Sequence, residues 1–130
     1  MNSAEFKMIR RLLGITTDEV AQACNVNLRT SRRWESTHRP PADAVEWLQT
    51  RLHRARTTVD TMLAQFEAEG DTADSDYSPT LPLYKTDETA QRDLGPEMTK
   101  EQHAAIMGLV AFFGDGLNIS AEFVEDDPET

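Results

Sequence analysis

Three arginines, Arg29, Arg32 and Arg33, fall within five residues of one another in the stretch LRTSRRWE. A guanidinium is planar and permanently charged, and its fork of donors can grip a guanine edge or a phosphate with two bonds at once. On a helix these side chains leave two faces basic, which suits a polyanion. Other chemistry is thin. No Gly-rich phosphate loop, metal-ligand cluster or Ser/Cys–His grouping stands in the chain, and His38, His53 and His103 have no ligand spacing to one another or to acidic residues. The Asp and Glu pairs lie in linkers, caps and tail, where solvation accounts for them. No enzyme activity, catalytic residue, metal or cofactor is therefore expected.

The elements that must position the arginines lie in residues 15–39, which read as two short helices and a turn. Thr16 or Thr17 can cap the first, with Asp18 and Glu19 where the helix dipole favours negative charge. That helix is expected over 18–24. Val20, Ala21 and Cys24 form its apolar face, and Asn25 tolerates the left-handed conformation that ends it. Asn27 then caps a second helix over about 28–35. Ahead of both, Asn2 or Ser3 opens a helix whose Phe6, Ile9, Leu12 and Leu13 recur at helical spacing, closed by Gly14. Trp34 points opposite to the arginines and is expected to pack the motif helices together. Pro40 and Pro41 halt the chain's helical run, so residues 36–41 form a loop. Cys24, the single cysteine, is read as a buried apolar filler.

The run T-x-E-x-A-x-A-x-x-V from Thr17 to Val26, followed by a cap, a polar helix and W-E, resembles the helix-turn-helix of the Cro/C1 (XRE) family. The resemblance covers roughly residues 3–56. It implies that 28–35 is a recognition helix in the major groove, that Leu28, Arg29, Arg32 and Arg33 face bases or phosphates, and that Thr17 faces a phosphate. Asn27, Thr30, His38 and Arg39 complete the candidate DNA contacts. Family members often pair an arginine of the first helix with the Glu of W-E, positions held here by Arg10 and Glu35. Two residues depart from the pattern: Thr37 stands where the family usually has Gly, and Ser31 stands at a usually aliphatic core position.

From residue 42 the pattern stays helical to about 69. Val45, Leu48, Leu52, Ala55, Val59, Met62 and Phe66 alternate spacings of three and four, a heptad seam. Its early part helps cover the motif core. Leu52, Ala55, Val59, Met62 and Phe66 extend beyond it and are assigned to pairing, with a second copy or with the chain's own C-terminal half. Arg51, Arg54 and Arg56 flank the seam as a solvated face. Residues 70–80 read as a flexible acidic linker. In 81–124, LPLYK is an edge-strand candidate weakened by Pro82, a helix is expected over 87–94, and Thr99 with Gln102 forms a capping box for a helix over 100–113. Leu117, Ile119, Ala121 and Phe123 alternate with polar residues as in a half-buried strand. The second helix is too apolar to stand exposed, so Ile106, Leu109, Val110, Phe113, Leu117, Ile119 and Phe123 join the candidate dimerisation residues. Residues 125–130 read as a disordered acidic tail. The fold class expected is mainly α: a helix-turn-helix bundle over 1–56, a long heptad-patterned helix over 42–69, and a small strand-helix-helix-strand unit. The whole chain resembles small phage and prophage regulators, including anti-CRISPR-associated repressors.

The net charge of −10 is segregated. Residues 1–56 hold ten Lys and Arg against six Asp and Glu, a charge of +4, whereas residues 57–130 hold three against seventeen, a charge of −14. A basic half fits phosphate neutralisation, and an acidic half faces solvent or another protein. The expectation is a sequence-specific DNA-binding transcriptional regulator, a repressor acting as a homodimer on an inverted repeat of double-stranded DNA. The alternative is an antitoxin or adaptor whose acidic half holds a protein partner. With no long apolar run and no leader pattern, a cytoplasmic, membrane-free protein is expected.

Overall fold

The computed structural model describes residues 1–72 and 76–126. It is mainly helical with one small parallel sheet, in the order α1 (Ser3–Leu12), α2 (Thr17–Cys24), α3 (Leu28–Arg33), α4 (Ala42–Thr72), β1 (Thr80–Leu83), α5 (Asp87–Leu94), α6 (Lys100–Phe113) and β2 (Ser120–Phe123). Two units can be distinguished, Met1–Ala55 and Arg56–Thr130, and α4 contributes residues to both.

In the N-terminal unit each short helix begins on a side-chain cap, because helices this short cannot leave their first amides unpaired. Asn2 caps α1 and Thr16 caps α2, each in a reciprocal box with a glutamate three residues on, Glu5 and Glu19. The Asn25 backbone at φ 55° ends α2, and Asn27 accepts the Thr30 amide at the start of α3. Phe6, Leu13, Ile15, Val20, Ala21, Trp34, Ala44 and Leu48 form the core. Phe6 and Trp34 meet edge to face, with ring centroids 6.3 Å apart, so Trp34 packs on α1. Leu12 departs from the expected inward face: it is 46% exposed, and Leu13 takes the buried place. The second motif helix is also shorter than expected. After Arg33 the chain tightens into turns, with the Thr37 and His38 amides both donating to the Arg33 carbonyl. Thr37 keeps a negative φ there, so this turn does not require the glycine usual at the position.

The C-terminal unit is built on two strands paired in parallel, Thr80 opposite Ser120 through Leu83 opposite Phe123. Parallel strands need a long crossover, which α5 and α6 supply. Thr86 and Thr99 cap these helices by accepting the Thr89 and Gln102 amides. α6 packs beside β1 and α5, burying His103, Ile106, Met107 and Val110. Gly114 closes α6 where a methyl group would stand 2.6 Å from Ile119, 2.9 Å from Leu63 and 2.9 Å from the Val110 carbonyl. The second half of α4 therefore lies against the end of α6. Beyond Gly114 the sequence alternation misleads. Leu117 ends a 3-10 turn and Asn118 is left-handed at φ 56°, so β2 starts only at Ser120, and its four residues are exposed rather than half-buried.

Several segment boundaries move as well. Residues 70–72 of the expected linker belong to α4, residues 73–75 lie outside the described residues, and Ser78 is tied down by donating to the Asn118 carbonyl at 2.6 Å. Tyr77 donates to Glu69, which lifts its phenol to about 12. Of the expected tail, residues 127–130 lie outside the described residues. Asp126 accepts from the Thr89 hydroxyl at 3.1 Å while its carbonyl accepts from Arg92 at 2.6 Å. Among the described residues, no helix is long and apolar enough to cross a membrane.

Candidate nucleic-acid interface

α3 has an inner and an outer side. Ser31 is fully buried and Trp34 is 6% exposed, while Arg29, Arg32 and Arg33 are exposed. Among the described residues, none of these three arginines is taken up in an ion pair. The basic side chains are thus left outward by a helix whose inner side is fully engaged.

Three polar attachments hold α3. At its start, the Asn27 carboxamide oxygen accepts both the Thr30 amide at 2.8 Å and the Thr30 hydroxyl at 2.9 Å. In its middle, the Ser31 hydroxyl donates 2.7 Å to the carbonyl of Thr17, in the first turn of α2. Just after its end, Glu35 accepts a two-pronged bond from Arg10: Nη2 donates to Oε1 at 3.0 Å and Nε donates to Oε2. The remaining Arg10 nitrogen, Nη1, donates to the Ile15 carbonyl at 2.6 Å, so one side chain joins α1, the loop before α2 and the turn after α3. Both partners are largely buried, with 13% and 9% of their side chains exposed. Losing either partner strands a charge, which is why such a pair costs more to break than it contributes.

The other predicted contact residues separate into two groups. Arg39 and His38 are exposed in the loop after α3, and the Ser3 hydroxyl donates to the His38 carbonyl at 3.1 Å, fixing that loop to the start of α1. Thr17, Leu28 and Thr30 are half-buried, and Thr30 spends its hydroxyl on the Asn27 cap. Cys24 is half-buried, and burial followed by nearby Asp43 pushes its thiol up, away from a reactive thiolate.

The residues assigned to dimerisation do not form one surface. Ala55, Val59, Phe66, Ile106 and Val110 are buried within the single chain, so their side chains are not available to a second copy. Of the two covers expected for the seam, a second copy or the chain's own C-terminal half, the burial of these residues favours the chain itself. Leu52, Met62, Leu109, Leu117 and Ile119 are half-buried. Phe113 and Phe123 are 65% and 60% exposed, and Phe112, outside that assignment, is 74% exposed with its ring edge-on to Phe113. Sequence reasoning also missed the Arg10 bond to Ile15 and the Ser31 bond to Thr17; only the small polar residue at an inward position of α3 signals the latter.

A comparison with curated proteins matches none. The model of the Aca2/YdiL-like family matches residues 1–109, which takes in the capped helices, the outward arginines, α4 and most of α6. On that match over most of its length, the chain belongs to the Aca2/YdiL-like family, helix-turn-helix regulators associated with anti-CRISPR genes.

Proposed function

We propose that this protein is a sequence-specific, DNA-binding transcriptional repressor of the Cro/C1 kind, acting in the cytoplasm as a homodimer on an inverted-repeat operator. The observation that carries the reading is the outward row Arg29, Arg32 and Arg33 on a helix capped at its start and tied to α2 in its middle and to α1 just past its end. A helix seated in a major groove reads sequence through bidentate side chains, and it must be rigid for those side chains to meet base edges. Exposed Arg39 and His38, with Thr17 at the start of α2, are suited to phosphates on either side. The reading assigns the chain no catalytic role. Phe112, Phe113 and Phe123 give the acidic unit apolar surface for a second copy. The same exposed aromatics, in a half carrying −14, favour a second reading in which that unit binds a basic protein partner.

The test is binding to a fragment of the protein's own upstream region beside an unrelated fragment, titrated with salt and footprinted. The expected result is a protected inverted repeat with half-sites about 34 Å apart, bound far more tightly than the unrelated DNA. Arg29→Ala or Arg33→Ala should weaken operator binding by about 1 to 3 kcal/mol where a base contact is lost. Equal, weak, salt-erased binding to both fragments, or no effect of either substitution, removes the groove assignment and turns attention to the partner-binding reading.

A further inference from the structure

Ser31 is the residue the sequence pattern marks as out of place, and its surroundings give it a use. Its side chain has no exposed surface, and its hydroxyl donates 2.7 Å to the Thr17 carbonyl. An aliphatic residue there would fill the gap between α2 and α3 by volume alone, which fixes neither the roll nor the depth of a helix. A hydrogen bond to a backbone atom fixes both, because it has a short range and a preferred direction. At 3.6 residues per turn, Arg29 and Arg33 each stand about 160° around the α3 axis from Ser31, on the opposite side. The bond therefore sits directly behind the two side chains that project furthest outward. Its acceptor belongs to the first turn of α2, the turn that also carries the Thr17 side chain.

We propose that Ser31 is a positioning residue for sequence reading: its buried bond to the Thr17 carbonyl sets the pose from which Arg29 and Arg33 reach base edges, relative to the phosphate contact at Thr17. The inference rests on the DNA-reading function proposed above. α3 has only six residues, so it cannot hold its own pose; Asn27 caps its own first turn, and the Arg10 bond to Glu35 lies just past its other end. Without the central bond, α3 can roll about that end attachment. Rolling leaves the charges in place and moves the geometry, so it affects base reading, which depends on angle, and spares phosphate attraction, which does not.

The experiment uses the full chain and the two fragments above, with Ser31→Ala and the near-isosteric Ser31→Cys. Alanine removes the donor without leaving a buried orphan, since the Thr17 carbonyl keeps the amide four residues on as its helical partner. Both variants are first checked for a native tryptophan emission spectrum. The expected result for Ser31→Ala is a ~5- to 10-fold loss on the operator, less than about a two-fold change on unrelated DNA, and an unchanged salt slope. Ser31→Cys, which keeps a weak donor, should recover part of the discrimination. Equal losses on both DNAs, or no loss on either, overturn the positioning role while leaving the DNA-reading function standing. Failure of the natural protein itself to discriminate between the fragments removes that function, and the role of Ser31 with it, before any variant is compared.

Discussion

The N-terminal unit completes its polar bonding inside and shows charge outside, whereas the C-terminal unit leaves a buried polar atom unpaired among its described residues and shows exposed aromatic rings beside its charge. In the first, Arg10 and Ser31 spend their donors on neighbouring elements, Asn27 caps α3, and three arginines remain outward. In the second, the buried His103 Nδ1 has no hydrogen-bond partner among the described residues, and Phe112, Phe113 and Phe123 stand exposed on an acidic unit with a two-stranded sheet. Under the proposed function, the contrast separates the charged surface assigned to DNA from the apolar surface assigned to a second copy or a protein partner. Helices stitched together by directional bonds hold charged side chains in a fixed pattern, while a unit with apolar surface to spare gains most from being covered. Met8 and Leu12 on α1, 64% and 46% exposed, qualify the division, since the basic unit has a small apolar patch of its own.

The stitching of the first unit is the part most open to attack. Arg10→Ala leaves the largely buried Glu35 stranded and removes the bond to Ile15, so it should destabilise the unit by about 3 to 5 kcal/mol. Both tryptophans, Trp34 and Trp47, lie in this unit, so denaturant unfolding followed by tryptophan emission reports on it selectively. Replacing the pair together, Arg10→Met with Glu35→Leu, should cost much less than Arg10→Ala alone. A double variant as unstable as the single one means that the packing of the aliphatic stems, and not the stranded charge, carries the effect.

In the second unit the most sensitive point is steric. Gly114→Ala places a methyl against the Val110 carbonyl and the ends of Ile119 and Leu63. The side-chain ends can give way and the carbonyl cannot, so a loss of about 1 to 3 kcal/mol is expected. Methyl resonances of Met107 and Val110 should lose protection while the tryptophan transition stays in place. A matching shift of the tryptophan transition shows instead that the two units unfold as one.

The two units were also unequally legible. Caps depend on a handful of neighbouring residues, so Asn27, Thr86, Thr99 and the left-handed Asn25 could be read where they stand, as could α5 and α6. The Arg10 and Glu35 pair is 25 residues apart in sequence, and only the family pattern brought it into view; the geometry then supplied its third contact. What failed depended on the return of distant chain. The alternation from Leu117 to Phe123 has the period of a strand, but Asn118 in the left-handed region resets it, and periodicity contains no information about that. The heptad seam was visible as apolar spacing, yet spacing is identical whether the cover is a second copy or the rest of this chain. The burial of Val59 and Phe66 within one chain could be learned only from the fold.

The gentlest way to separate the units is pH, through His103. Its ring lies edge-on to Tyr84 at 5.0 Å, and burial among α6, β1 and the Tyr84 ring holds its pKa below the usual 6.5. The Tyr84 phenol, itself pushed up by burial and by its bond to Asp93, stays neutral through this range and offers no charge to a protonated imidazole. Because the folded pKa lies below the unfolded one, the unfolded chain takes up the proton first. Stability is therefore complete above about pH 6.5 and declines as the pH falls from there through the folded pKa. His103 lies outside the N-terminal unit, which should feel little of this decline. His103→Leu removes the titrating group and the orphaned Nδ1 together. It should flatten the acid limb seen by the Met107 and Val110 methyls, and raise stability at neutral pH by about 1 to 3 kcal/mol if that orphan now costs its full desolvation. An acid limb that survives the substitution assigns the pH response to the carboxylates of the acidic unit, with Asp93, which the Arg92 guanidinium holds below the usual carboxylate range, the first to replace by asparagine.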